Sequence, residues 1–260
     1  YGNGRTITAL VSDPSADGIG ALVGTRASSG FRRAVDTFLP GERAVNSLRF
    51  QLLDDIPTAA LVSGTAIIAG GVVLPVVAVS AKNADLCAGW ATDASLMIEI
   101  AETGRPPVPT GPVATDLEPN DDPLAWHDVE PVTPHLMRRR RRIDVWRDSA
   151  DRIAVDAFFR DSHVDGGGLE TVVHEYSVAA TIDPATMRFT DCQATIGVLP
   201  WQECPGAVGS ARRLVGTPVE GLRTSIRESF VGTSTCTHLN DTLRALEDVG
   251  DLVRELPHAE

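Results

Sequence analysis

At 260 residues the chain has ample core for one large domain or two lobes, and its formal net charge of −12 speaks against a nucleic-acid partner, which needs a positive surface. Four cysteines at irregular spacing fit a reducing, cytoplasmic setting better than a disulfide framework. No signal peptide is visible, and residue 1 is Tyr rather than Met, so the chain is expected to lack its native start.

Residues 1–30 alternate short apolar pieces with Gly, Ser and Asp. Gly30 then opens the pattern Gly30-Phe31-Arg32, Val35, Phe38-Leu39, Gly41, Leu48, Leu52. Laid without a gap on Gly221-Leu222-Arg223, Ile226, Ser229-Phe230, Gly232, Leu239, Leu243, it suggests an internal duplication. Leu22-Val23-Gly24 matches Leu214-Val215-Gly216 with a one-residue shift. In that alignment Val45 stands for Cys236 and Ser47 for His238, so the first copy keeps helices and loses the polar residues. Residues 59–81 are apolar enough to raise a membrane span, but Gly64, Gly70, Gly71 and Pro75 interrupt them and no basic cluster flanks them. They read instead as a buried helix, a glycine turn and a buried extended segment, with no membrane partner.

Residues 82–107 carry Cys87-Ala88-Gly89-Trp90 and complete an expected first, degenerate, mainly helical lobe over 1–107. The stretch 108–134 is rich in Pro, Gly and Asp and reads as an ordered linker, with Trp126 as its anchor. The second lobe, 135–260, opens with period-two alternation. Arg140, Arg142, Asp144 and Trp146 alternate with Arg141, Ile143 and Val145. Further strands follow at 153–159, 171–182 and 188–196, separated by Asp148–Asp151, Asp165-Gly166-Gly167-Gly168 and Asp183-Pro184. Consecutive strands on short turns predict an antiparallel β-meander, and the helices after it predict a cap on one face: an α+β fold of two pseudo-repeated lobes, the first truncated at its N-terminus.

The cap carries the residues that point to a site. Cys204-Pro205-Gly206 precedes an amphipathic run, Leu222, Ile226, Phe230, and Cys236-Thr237-His238-Leu239 opens a second run, Leu239, Leu243, Leu246. Thr235 or Thr237 can cap that second helix, whose N-terminus is expected to lower the pKa of Cys236. A Cys-x-His pair at a helix start serves as a thiolate–imidazolium couple, as two metal ligands, or as a cap over a core thiol. Under the metal reading Cys204, Cys236 and His238 are ligands, with Cys87 or His174 completing the set. His174 projects from a strand and can move protons. No dinucleotide fingerprint, Walker loop, nucleophile elbow or His-Glu-x-x-His occurs, and the sequence names no cofactor.

Over about residues 135–250 these motifs resemble the DUF2889 family, a bacterial family of unassigned function. The resemblance rests on Cys204-Pro205-Gly206, Leu214-Val215-Gly216, Gly221-Leu222 (where the family has Gly-Trp) and Thr235-Cys236-Thr237-His238-Leu239. It implies a family His at His174, a family Asp at Asp161, an arginine pair within Arg138–Arg142, and a cysteine–aromatic element at Cys87–Trp90 that complements the second lobe's site. The strand-then-helix order also resembles iron–sulfur scaffold proteins.

The sequence thus supports a small-molecule enzyme of lyase, isomerase or hydratase type. His174, His238, Cys236 and Asp161 are its catalytic candidates, and Arg138 and Arg140, sent to one side of their strand by alternation, are candidates to hold a substrate anion. The alternatives are a metal- or sulfur-carrying scaffold and a pseudo-dimeric binding module without chemistry. Homo-oligomerisation is left open.

Overall fold

A computed structural model describes residues 5–28, 30–71, 83–117, 126–127 and 131–257. The chain divides into two compact units, Tyr1–Gly64 and Thr65–Glu260. The Cys87–Trp90 segment and residues 108–117 therefore belong to the second unit.

The first unit is helical. A 3-10 turn, Ile19–Leu22, leads to α1 (Phe31–Phe38), α2 (Pro40–Ala44) and α3 (Leu48–Ala69), the last running past the unit's boundary. Leu22, Phe31, Val35, Leu39, Phe50 and Leu53 form its core. The glycine turn after the apolar helix is present at Gly70 and Gly71; the extended segment expected after it lies outside the described residues. Among the described residues α3 is the one helix long and apolar enough to cross a membrane, by length and composition alone.

The second unit begins with the Cys87–Trp90 segment and α4 (Ser95–Thr103), whose first turn is held by Glu203: its carboxylate accepts from the Ser95 N–H at 2.8 Å and hydroxyl at 2.9 Å. Then come β1 (Leu136–Ser149), β2 (Arg152–Val164), β3 (Glu170–Asp183) and β4 (Arg188–Val198), hydrogen-bonded in chain order as an antiparallel meander. Side-chain carboxylates shape two of the turns. Asp165 accepts from the N–H groups of Gly167 and Leu169 at 2.8 and 2.9 Å, and Asp183 from that of Ala185 at 2.9 Å. A 3-10 stretch (Cys204–Leu214), α5 (Leu222–Ser229), α6 (Thr237–Ala245) and α7 (Val249–Glu255) follow.

Alternation decides which face of the sheet is covered. Ile153, Val155, Ala157 and Phe159 of β2 and Tyr176, Val178, Ala180 and Ile182 of β3 are buried in one cluster with Leu222, Ile226, Leu239 and Leu243 of the cap. Fully burying side chains of this size favours the assembly by about 1.5–3 kcal/mol each. The class is the α+β meander that the sequence indicates.

Two local features bear on the site. β3 bulges opposite the Asp161–Ser162 step: Asp161 faces His174 while Ser162 faces Val172, leaving Val173 as the extra residue. Residues 112–114 pair with β3 beyond the end of β4, through Val172 N–H to Pro112 O and Ala114 N–H to Glu170 O, both 2.9 Å. The expected linker thus contributes to the sheet.

The units share a backbone pattern. In the first, Ile7 N–H donates to Thr25 O, Gly24 N–H to Ile7 O and Ala27 N–H to Arg5 O; in the second, Phe189 donates to Thr217, Gly216 to Phe189 and Val219 to Met187. Thr25 and Thr217 each donate their hydroxyl to a leucine carbonyl three residues back at 2.6 Å. Arg5 and Met187 both have positive φ, 63° and 51°, as do the helix-capping Gly30 and Gly221 at 94° and 76°. The gapless alignment does not hold at α3. Ser47 caps α3, its hydroxyl accepting the Phe50 N–H at 3.0 Å, so Ser47 rather than Val45 stands in the place of Cys236, the N-cap of α6.

Candidate functional site

Strand register builds most of the site. Arg139 of β1, Asp161 of β2 and His174 of β3 are direct cross-strand neighbours on the capped face. Arg139 donates to both carboxylate oxygens of Asp161, through Nε at 2.8 Å and Nη2 at 2.7 Å. Its Nη1 donates at 3.0 Å to Asp241 of α6, which also accepts from Arg244 at 3.0 Å. The guanidinium lies 4.8 Å from the centroid of Phe159. Sheet and cap are thus joined by an ion-pair chain on an aromatic support.

The first turn of α6 lowers His238 onto this row. Its imidazole stacks on that of His174, with ring centroids 3.5 Å apart and planes 16° from parallel. Its Nε2 is 3.6 Å from Asp161 Oδ2. Its Nδ1 faces the Thr237 hydroxyl at 3.4 Å and the Cys236 thiol at 3.9 Å. His238 Nε2 and His174 Nδ1 are buried and have no hydrogen-bond partner. Ligating atoms of Asp161, His174 and His238 all lie within 4.8 Å of one another.

Burial sets the protonation of the cluster. It drives His238 down to about 3, with help from the Arg139 charge and against the pull of Asp241. It pushes His174 well below the usual imidazole range too; the neighbouring His238 and Arg139 act in the same sense and Asp161 opposes them. Both rings are neutral around pH 7, so each has one unprotonated ring nitrogen. The Cys236 thiol moves contrary to the expectation from its helix start. The N–H groups of Leu239 and His238 do favour the thiolate, but full burial outweighs them and the pKa rises.

Cys87 and Cys204 lie near Cys236. Burial and the neighbouring Cys236 push Cys87 up to about 11 and Cys204 up to about 12. The Tyr176 hydroxyl faces the Cys236 thiol, and burial raises its pKa as well. Ala88 N–H donates to Thr235 O at 2.9 Å, and Gly89 packs so closely that a Cβ there would stand 2.8 Å from Cys204 Sγ. A phenol and three thiols thus border the imidazole cluster, meeting it at the contact between Cys236 and His238.

Of the sequence candidates, Asp161, His174, His238 and Cys236 come together, and Cys87 joins Cys236 from its distant segment. The proposed ligand set of Cys204, Cys236 and His238 is not the group that converges: among the described residues, ligand atoms gather at Asp161, His174 and His238. Arg138 and Arg140 occupy the other face. Arg138 pairs with Glu170, and Arg140 lies 5.7 Å over Trp126, which stands edge-on to Phe158. The site's arginine is Arg139. Its parity with Ile143 and Val145, the apolar half of the alternation, was the signal for it. Asp241 is a further site residue, placed one helical turn beyond His238. Neither Thr235 nor Thr237 caps α6: the Thr235 hydroxyl donates to Gly232 O at 2.9 Å, Thr237 faces the His238 ring, and Cys236 takes the cap position without a side-chain bond. His127 and His163 stand apart from the cluster, and His258 lies outside the described residues.

Residues 137–250 match the model of the family described as "Protein of unknown function (DUF2889)". The match spans β1 to the start of α7 and so contains Arg139, Asp161, His174, Cys236, His238 and Asp241. No curated protein and no solved structure matches the chain.

Proposed function

We propose that this DUF2889 lobe is a small-molecule enzyme of the lyase, isomerase or hydratase type, with Asp161, His174 and His238 as its reacting centre. One observation carries the reading: two neutral imidazoles stacked under the cap, each with a buried ring nitrogen that nothing in the protein satisfies. A structural histidine pair gains by hydrogen-bonding its nitrogens, and leaving a buried polar atom unpaired costs about 1–3 kcal/mol. The bare nitrogens are unpaired groups held within the centre. His174 carries the proton, Asp161 orients the centre, Arg139 fixes Asp161 from below, and Cys236 with His238 forms the polar floor. Four free thiols, three of them around this floor, fit a cytoplasmic setting.

Solvent-hydrogen exchange tests the proposal, because a His174 that carries a proton to or from carbon in any of these reactions exchanges that hydrogen with solvent. A panel of small carbonyl, enone and hydroxy-acid compounds is incubated with the protein in deuterium oxide and followed by NMR. The expected result is deuterium uptake in one compound class, lowered by about 10²–10⁴-fold in His174→Ala. Uptake that is absent throughout, or unchanged in His174→Ala, rejects the reading.

For the first unit we infer a duplicated cap without chemistry. The shared hydrogen-bond pattern supports the duplication, and Ser47 standing in the place of Cys236 supports the loss of the site. Phe31→Ala is expected to destabilise that unit by about 3–5 kcal/mol and leave deuterium uptake unchanged.

A further inference from the structure

We propose that Asp161, His174 and His238 are the protein ligands of a divalent first-row transition-metal ion. The inference rests on the reading of this cluster as the reacting centre and assigns the polarising group within it. In that form His174 is a ligand instead of the proton carrier, and the ion activates an oxygen of the substrate or of a bound water.

The donor set comes first. Two imidazole nitrogens and one carboxylate on three separate elements leave open positions for water and substrate, the arrangement suited to ferrous, manganous, cobaltous or zinc ions. Separation comes next. Ligands about 2.1 Å from a common ion stand roughly 3–3.5 Å from one another, and His238 Nε2 is already 3.6 Å from Asp161 Oδ2, with a His174 nitrogen within 4.8 Å of both.

The unpartnered atoms point the same way. His174 and His238 are 9% and 8% exposed, yet His174 Nδ1 and His238 Nε2 have no hydrogen-bond partner. Groups so buried ordinarily find one, and the nearest approach here, His238 Nε2 to Asp161 Oδ2 at 3.6 Å, leaves the pair too far apart for a hydrogen bond.

The surroundings also fit. Ligating histidines are fixed through their other ring nitrogen, and ligating carboxylates are themselves hydrogen-bonded. His238 Nδ1 faces the Thr237 hydroxyl and the Cys236 thiol, either of which can accept its proton; in that tautomer the Nε2 lone pair is free for an ion on the side of Asp161. Arg139 grips Asp161 from one side, and a carboxylate has about four lone-pair positions, so two bonds from the guanidinium leave room for an ion. The Arg139 charge opposes a cation, but it is shared between Asp161 and Asp241.

The stack has a consequence for binding. Two rings lying face to face aim their lone pairs alongside each other, so ion binding turns one imidazole off the other. A metal-bound and a metal-free form therefore differ in ring packing, and the imidazole proton resonances report that difference.

The experiment starts with the whole chain stripped by chelator and titrated with Co2+ and Zn2+ by calorimetry, with optical absorption for Co2+ and nitrogen-ligand counting by X-ray absorption. One ion per chain bound through two nitrogens is expected, with loss of ring-stack shifts and a rise in melting temperature that grows with ion concentration. Asp161→Asn and His238→Ala are expected to weaken binding by more than the roughly 10–100-fold expected of Arg139→Lys, which alters only the support of a ligand. A folded wild-type chain that binds neither ion overturns the proposal without recourse to any variant, as does binding that Asp161→Asn and His238→Ala leave unchanged. Deuterium uptake measured on the same stripped and loaded samples separates the two readings. Uptake by stripped protein that binds no ion removes the metal and keeps the enzyme; stoichiometric binding without uptake removes the enzyme and keeps the metal.

Discussion

Arg139 and Asp161 form the most consequential pair in the second unit. Both side chains are largely withdrawn from water, so their attraction is set against a desolvation cost that good geometry alone can offset. Arg139→Met is therefore expected to cost about 3–5 kcal/mol by urea unfolding, because it strips Asp161 of a bidentate partner. The thiols make a contrasting case. Cys87 at about 11, Cys192 at about 12 and Cys204 at about 12 are almost wholly protonated at pH 8, and burial raises Cys236 as well. Ellman's reagent is expected to label none of the four in the native chain within minutes and all of them in guanidinium; rapid native labelling of any one would show an exposed thiolate. Glu170 supplies the pH dependence. Burial raises its pKa, but hydrogen bonds from Arg138 and Ser162 and the arginine charges outweigh that and hold it below the ordinary 4.5. A depressed carboxyl stabilises the fold above its unfolded pKa, and that contribution disappears as pH falls through the folded value. Glu170→Gln is thus expected to flatten the loss of stability between about pH 5 and pH 2, measured by denaturant titration at each pH.

Single elements show why some of this was readable in advance. The strands β1 to β4 announce themselves by period-two alternation between Asp- and Gly-containing turns, because a half-covered sheet imposes that period on its residues. Asp161, His174 and His238 stood out as polar groups in apolar runs, or through family motifs. Arg139 did not: in a run of consecutive arginines the side chain turned inward is decided by its neighbours' parity, and charge patterning alone suggests a solvated edge. Residues 112–114 were also hidden, since a prolyl and glycyl segment has no periodicity with which to declare a strand pairing. Gly111 tests their role. A Cβ there would lie 1.8 Å from Val172 O, so Gly111→Ala is expected to push the segment off β3 and increase proteolysis near residue 113. The cap on α3 shows another limit. Identity at glycines carried the alignment as far as Leu39, but α2 shifts the chain, and the Ser47–Phe50 bond shows where the helix begins.

At the scale of the molecule, the site exists only where sheet and cap are both in place. Arg139, Asp161 and His174 come from three strands, while His238 and Asp241 arrive with a helix roughly sixty residues further along the chain, so isolated fragments cannot hold the cluster. The bulge at Val173 deepens that dependence. On its turn side Glu170 faces away from the cap to meet Arg138 and Ser162, and beyond it His174, Tyr176 and Val178 face inward, although all these positions are even-numbered. One additional residue thus lets a single strand satisfy incompatible demands on its opposite sides. Straightening it, as by deleting Val173, forces a choice between an arginine deprived of its carboxylate and an imidazole rotated out into solvent, so variants that shorten this strand are expected to lose chemistry and stability in exchange for each other.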